Sequence, residues 1–265
     1  MKVLIWIVSV PLLLTFGWGW FVQPSYEHRF RIAVAIATPD GVKEGSSVWS
    51  VTCTEPVPIA GASVMTGGCK TVGEAIFVDL GQGRNLIALM ARGQFGGGVD
   101  VYDIAARAFD YAGLPRSRDG RPIFSRWWYS YAPAWQGRRE LRGNNMLTLA
   151  SFASLEEPAS GRVVQPTPAG FETVLGAGYQ LERITLEMVP AGIWPFNITG
   201  LSGTPVSKGI EQRIPLLISH RKQLRNVISN MPPRYQAEFS QFLRGGDFAF
   251  WPKDLDARDK SGPSN

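Results

Sequence analysis

The sequence predicts an α+β fold, in which a mostly antiparallel β-sheet domain with a few helices is preceded by one transmembrane helix. Apolar and polar residues alternate with period two over several segments, which is typical of half-buried strands. Neighbouring strand segments are joined by turn residues rather than by long helices, which favours hairpins over a parallel sheet. The chain of 265 residues contains 29 Gly and 19 Pro, which argues against an all-helical bundle.

The first predicted element is a membrane anchor. Residues 3–22 contain no charged side chain, and a helix of this length rises about 30 Å, enough to cross the hydrocarbon core. Trp6 lies near one end, while Trp18 and Trp20 lie near the other, where indole rings suit the two headgroup regions. We therefore expect residues 1–25 to anchor the protein in a lipid bilayer.

The segment could also be a cleaved signal peptide or a buried core helix. A cleaved signal peptide would fit the basic start at Lys2 and the apolar centre, but no Ala-x-Ala cleavage site follows. A buried core helix would normally carry a polar face, and none interrupts residues 3–22. The retained anchor is therefore favoured.

The first hairpin is predicted from residues 28–38 and 47–54. Phe30, Ile32 and Val34 fall on one face of the first segment, as period two requires. The sequence Thr-Pro-Asp-Gly at 38–41 is typical of a turn, because Pro fixes φ and Gly accepts a positive φ. We expect a longer loop between these two strands.

The remaining strands are predicted from period-two alternation and the helices from the helical spacing of apolar residues. Strands at 74–80 and 86–91 form a second predicted hairpin around a Gly-rich turn, and further strands are expected at 146–152 and 179–189. Helices are predicted by their spacing of apolar residues and by flanking Gly or Pro at 100–111, 169–176, 218–229 and 233–243. The domain thus spans 26–252, and the charged segment 253–265 is expected to be a disordered tail.

The chain has two cysteines, Cys53 and Cys69. A single pair suits a disulfide in an oxidising compartment, which would place the domain outside the cytoplasm. The alternative is two unrelated buried thiols, because free Cys is commonly buried. Charges flanking the anchor barely decide its orientation, so the disulfide is the main argument for an extracytoplasmic domain.

The most unusual stretch is 116–142, which holds seven arginines and two acidic residues, an excess equal to the net charge of the whole chain, +5. Arg side chains bind phosphate and carboxylate, and the interleaved Trp and Tyr residues suit an interface with water. The expected partner is anionic lipid, an anionic envelope polymer or a protein. The predicted binding residues are Arg126, Trp127, Trp128, Arg138 and Arg139.

The stretch could also be an ordinary solvated surface or a nucleic-acid site. Its aromatic side chains could pack on the sheet while its arginines are solvated, as is normal for a surface. Basic residues with aromatics also occur in nucleic-acid sites, but an anchored extracytoplasmic domain rarely meets nucleic acid, so no nucleic-acid partner is expected.

No catalytic or metal-binding motif is apparent. The chain has two histidines, His28 and His220, but no Gly-x-Ser-x-Gly motif that would supply a serine nucleophile. It also has no His-x-x-x-His pair and no spaced Cys cluster that could bind a metal. The glycines at 81 and 83 join two predicted strands, so no helix N-terminus is available for a dinucleotide phosphate. We therefore predict no catalytic residue, no metal and no cofactor.

Paired carboxylates could still catalyse glycoside hydrolysis. The sequence alone pairs no two of the acidic residues, and for Glu187, which alternates with Arg183 and Thr185, a cross-strand ion pair is expected. An envelope hydrolase is therefore the alternative function, with an accessory subunit of a membrane complex as a third possibility. The candidate carboxylates are Glu74, Asp79, Asp100, Asp103, Glu182 and Glu187.

Four segments resemble uncharacterised alphaproteobacterial proteins that carry a single N-terminal hydrophobic segment. They are RFRI at 29–32, TPDGVKEGSSV at 38–48, LERITLE at 181–187 and PVSKGIEQRIPLL at 205–217. The resemblance lies in short motifs without catalytic residues and implies a bacterial envelope setting. We therefore expect a single-pass inner-membrane protein whose periplasmic domain binds or scaffolds without catalysis.

Overall fold

The computed structural model describes residues 25–54, 58–59, 62–63, 68–93, 101–123, 128–156, 160–192 and 203–214. The predicted anchor, the predicted helices 218–229 and 233–243 and the predicted tail lie outside these ranges. Within the described ranges, no helix has the length and hydropathy needed to cross a bilayer.

Eleven strands and two short α-helices are described. The strands are β1 (Ser25–Thr38), β2 (Gly41–Thr54), β3 (Pro58–Ile59), β4 (Ala62–Ser63), β5 (Gly68–Val72), β6 (Ile76–Gly81), β7 (Arg84–Arg92), β8 (Arg138–Glu140), β9 (Leu147–Phe152), β10 (Gly161–Val164) and β11 (Gln180–Val189). The helices are α1 (Ile104–Ala108) and α2 (Pro168–Leu175), and short 3-10 helices lie at Trp128–Ala134, Gly143–Asn145 and Ile210–Gln212.

The strands form two main sheets that share one hydrophobic core. The first has the order β5-β2-β1-β11-β8, the second has the order β10-β9-β7-β6, and β3 pairs with β4 in a small ribbon. All of these strand pairs are antiparallel, which confirms the predicted mostly antiparallel architecture with few helices. The division into two sheets was not predicted.

The first hairpin is tighter than expected. Thr38 pairs with Gly41, so only Pro39 and Asp40 lie between the strands, and the Thr38 hydroxyl donates a hydrogen bond of 2.6 Å to the Gly41 carbonyl oxygen. The expectation of a longer loop was wrong because residues 41–46 pair with β1 although they lack an apolar alternation. Their backbone hydrogen bonds, rather than burial, extend the strand.

Trp49 on β2 joins the two sheets. Its side chain is 0% exposed, and its indole Nε1 donates to the Glu74 carbonyl oxygen at 2.8 Å. A Cβ atom at Gly73 would lie 2.5 Å from the Trp49 ring, so only glycine lets the crossing from β5 to β6 pass this side chain. A Cβ at Gly45 would likewise lie 2.4 Å from the Phe77 carbonyl oxygen, where β2 meets β6.

The predicted Cys53–Cys69 disulfide is confirmed. The two residues are opposite each other on β2 and β5, and their sulfur atoms lie 2.01 Å apart. The bond fastens the edge strand β5 to its neighbour β2.

The predicted helix at 100–111 is much shorter in the structure, where α1 covers Ile104–Ala108. Asp110 and Tyr111 adopt positive φ angles of 49° and 51°, which ends the helical backbone. The helix predicted at 169–176 is confirmed as α2. Its first turn is capped by the Thr167 hydroxyl, which accepts a hydrogen bond of 3.1 Å from the Gly170 backbone N–H.

Candidate functional site

A cleft of about 1410 Å³ lies between helix α2, the β6–β7 turn and the paired strands β9 and β10. Ser151 on β9 and Arg162 on β10 are directly opposite each other in the antiparallel register. Thr173 on α2 lines one side, and Arg84 lines another where β7 begins. Three separate parts of the chain therefore meet at this site.

The link between β10 and α2 gives the cleft its shape. A Cβ atom at Gly170 would lie 2.5 Å from the Cβ of Gln165, so glycine allows the first turn of α2 to fold back closely over the preceding residues. The Thr167 cap and Pro168 at the helix start fix where that turn begins. The lining residues therefore sit on regular elements with a defined junction.

Two arginines and no acidic residue are among the described side chains that line this cleft. The Arg84 guanidinium lies 5.5 Å from the centre of the Tyr179 ring, and its Nη1 donates to the Gln82 side chain at 3.1 Å. Arg162 is exposed and forms no ion pair in the described part of the chain. The cleft is therefore electropositive and rich in hydrogen-bond donors.

Ser151 is the buried polar group of this cleft. It is 5% exposed and lines the cleft. It follows Leu147 and Leu149 on the face of β9 that points into the shared core, at the end where that core opens into the cleft.

The predicted binding residues on 116–142 are only partly brought together. Arg138 and Arg139 are neighbours on the short edge strand β8. Arg138 Nη2 lies 3.0 Å from Glu187 Oε2, and the Arg139 guanidinium lies 5.0 Å from the centre of the Phe109 ring. The patch as a whole stays a prediction. Arg126, Trp127 and the side chain of Trp128 lie outside the described structure.

Two aromatic side chains of the same stretch belong to the core. Tyr129 and Trp135 are buried, and Trp135 Nε1 donates to the Ala112 carbonyl oxygen at 3.1 Å. For these two residues the structure matches the alternative interpretation, in which aromatics pack on the sheet. The arginines nearby are solvated, as that interpretation expects, at Arg116, Arg118, Arg121 and Arg142.

Glu74, one of the candidate carboxylates, holds a strap, which we define as residues 203–214. Its two carboxylate oxygens accept the backbone N–H groups of Gly209 at 2.6 Å and Ile210 at 3.0 Å. The strap also pairs with the open edge of β2, where Ser207 N–H donates to the Val48 carbonyl oxygen at 3.0 Å. Glu74 is thus committed to a structural role in a small cleft of about 280 Å³.

Asp103 likewise forms ion pairs with neighbouring arginines. Its Oδ2 lies 2.6 Å from Arg107 Nε, and its Oδ1 lies 3.2 Å from Arg92 Nη2, so it ties α1 to the end of β7. The predicted cross-strand ion pair of Glu187 is confirmed by its contact with Arg138. Neither described cleft is lined by two acidic side chains.

The other candidate carboxylates also have local partners or fall outside the described residues. Asp79 Oδ1 accepts the Gly81 backbone N–H at 2.9 Å in the β6–β7 turn, and Glu182 pairs with Arg183. Asp100 and His220 lie outside the described ranges. No group of three His, Cys, Asp or Glu residues in the described part is arranged to hold a metal ion.

His28 lies in an aromatic pocket of the core. It is 4% exposed, its ring is stacked on Phe30 with centroids 6.0 Å apart, and it meets Trp135 edge-on at 5.3 Å. Neither of its ring nitrogens has a hydrogen-bond partner. Burial lowers the pKa of His28 from 6.5 to about 4, because the charged imidazolium is poorly solvated there.

His28 is expected to make stability depend on acid pH. Between pH 6.5 and about 4, the unfolded chain protonates this imidazole and the folded chain does not. Stability is therefore fully present above this window and falls by about 3 kcal/mol as pH drops through it. Denaturant unfolding of the full chain in detergent at several pH values measures this, with His28→Phe as the control. Equal pH slopes for the two proteins would contradict the assignment.

The cleft residues Ser151, Arg84 and Arg162 were not predicted from the sequence, because no motif links them. No protein-family model, curated protein or solved structure matches the chain.

Proposed function

We propose that the protein is a membrane-anchored binding protein whose folded domain lies in the periplasm and takes its ligand in the cleft between α2 and strands β9 and β10. The observation that carries the proposal is the cleft itself. It is lined by two arginines and by hydroxyl and amide side chains from three parts of a well-packed domain, without an acidic residue among its described lining. Such a lining suits an anionic or polar ligand, and its described part holds no acid–base pair for catalysis.

The location rests on two features that support each other. The uncharged segment 3–22 is long enough to anchor the chain, and the Cys53–Cys69 bond is of the kind that persists in oxidising compartments. Together they favour a domain on the outer side of an inner membrane. The expected partner of residues 3–22 is the lipid bilayer.

The alternative functions make different demands on the structure. A hydrolase using two carboxylates needs both groups to face one substrate, and each described candidate is engaged elsewhere, as Glu74 is with the strap. An accessory subunit would need an exposed contact surface, for which the stretch 116–142 remains the candidate.

Filling the cleft tests the proposal. Thr173→Trp places a bulky side chain on the cleft wall, while Glu172→Trp adds the same side chain one position along α2, outside the cleft lining. The full chain in detergent is mixed with solubilised bacterial envelope lipid and glycan, and retention is measured. We expect Thr173→Trp to reduce association strongly and Glu172→Trp to leave it unchanged, with both variants retaining the wild-type thermal transition.

Two results would contradict the proposal. Wild-type protein that retains no envelope component under these conditions would remove the case for binding. Equal retention by wild-type and Thr173→Trp protein would show that the ligand is held elsewhere, and the stretch 116–142 would then be the next surface to test.

A further inference from the structure

We infer that the ligand of this cleft carries a phosphate or carboxylate group, held by Arg84 and Arg162 with a hydrogen bond from the buried Ser151 hydroxyl. The inference rests on the proposed function, because it names the chemistry of what the cleft binds. Both anions offer the paired oxygen acceptors that guanidinium groups recognise.

Ser151 and Arg162 form a cross-strand pair at the cleft. The two residues are opposite each other across β9 and β10, so their side chains share one face of the sheet. Ser151 is nine-tenths buried, Arg162 is exposed, and both line the cleft. An oxyanion between them would accept hydrogen bonds from both groups.

The two cleft arginines have no counter-charge among the described lining residues. Most described arginines have an acidic side chain within ion-pair distance. Those residues are Arg29, Arg31, Arg92, Arg107, Arg116, Arg121, Arg138, Arg142 and Arg183. Neither Arg84 nor Arg162 has such a partner in the described part of the chain. Both therefore keep donors for an external anion.

The side chain of Arg84 is partly oriented in advance. Its contact with the Tyr179 ring and its hydrogen bond to Gln82 restrict the guanidinium to the rim of the cleft. The amide of Gln165 also lines the cleft without a described partner, so a polar group next to the anion would find a hydrogen-bond partner.

The size of the cleft indicates that the anion is one end of a longer ligand. A volume of about 1410 Å³ is well above what a single phosphate or carboxylate fills. The same chemistry could come from a phospholipid headgroup or from a soluble envelope compound. The experiment therefore uses probes of both kinds.

The test measures binding by calorimetry to the full chain in phosphatidylcholine nanodiscs. The probes are inorganic phosphate, glycerol 3-phosphate, glucuronate and short-chain dihexanoyl phosphatidylglycerol. We expect at least one anionic probe to bind, and the double variant Arg84→Gln/Arg162→Gln to weaken it by about tenfold or more. Ser151→Ala should weaken it less, and Lys70→Gln, at an exposed cation on β5 outside the cleft lining, should leave it unchanged. Binding of the lipid probe alone would assign the anion to a headgroup.

The outcomes separate this inference from the function on which it rests. If Thr173→Trp abolishes envelope association but the arginine variant binds every probe as the wild type does, the cleft binds a ligand and the oxyanion assignment is wrong. If no anionic probe binds the wild type, the assignment is also wrong. Loss of both effects, with Thr173→Trp and the arginine variant each behaving as wild type, would overturn both proposals.

Discussion

Trp49→Ala is expected to lower the free energy of unfolding by about 3–5 kcal/mol, the largest effect of any single substitution considered for this domain. The indole is fully buried where the two sheets meet and packs edge-on against Phe30 with ring centroids 5.9 Å apart. Its removal leaves a cavity and deprives the Glu74 carbonyl oxygen of the indole N–H. Urea unfolding of the full chain in detergent, followed by far-ultraviolet circular dichroism, measures the change.

Trp49→Phe is the matched control. It keeps an aromatic ring in the site but removes the N–H, so the loss of stability should lie clearly between those of wild type and Trp49→Ala. Because the crossing from β5 to β6 packs on this ring at Gly73, the damage should spread to both sheets. A loss below about 1 kcal/mol for Trp49→Ala would contradict the assigned position of Trp49 in the core.

The second large effect is expected from the disulfide. Cys53→Ala/Cys69→Ala removes a cross-link between residues 16 apart in sequence, which stabilises the folded state by about 3 kcal/mol in the chain-entropy model. The edge strand β5 would then be held mainly by its backbone pairing with β2. The midpoint of denaturant unfolding should fall, without a change in the antiparallel sheet signal of the native state.

Reduction of the wild-type protein provides the control for the cysteine variant. Wild type treated with dithiothreitol should unfold at nearly the same midpoint as the double variant, since both lack the same bond. If reduction left the midpoint of the wild type unchanged while the variant was destabilised, the effect would come from the alanine side chains, and the stabilising role of the bond would be refuted.

The strands with clear alternation were predicted from the sequence with nearly correct bounds. β11 is an example, because its apolar residues Ile184 and Leu186 face the core and its polar residues face outward. β8 could not be found in this way, since its three exposed residues carry no apolar alternation and become a strand only by pairing with β11. The early part of β2 was missed for the same reason.

The candidate site was less accessible to sequence reasoning than the fold. Ser151 and Arg162 become neighbours through the register of β9 and β10, and the β6–β7 turn brings Arg84 to the same cleft from a distant part of the chain. None of these residues stands in a recognisable motif. Conversely, the binding surface at 116–142 was predicted from its many arginines and aromatic residues alone. Two of those aromatic residues, Tyr129 and Trp135, pack in the core.

The arrangement of anchor and domain across the membrane is the claim on which the proposed function depends most. Protease added to intact spheroplasts tests it directly, with the full chain followed by antibodies against the folded domain. The account predicts that the protease degrades the domain while a cytoplasmic control protein survives, and that untreated protein stays in the membrane pellet after an alkaline wash. A domain that is protected until the spheroplasts are lysed, or that is released into the soluble fraction, would contradict it.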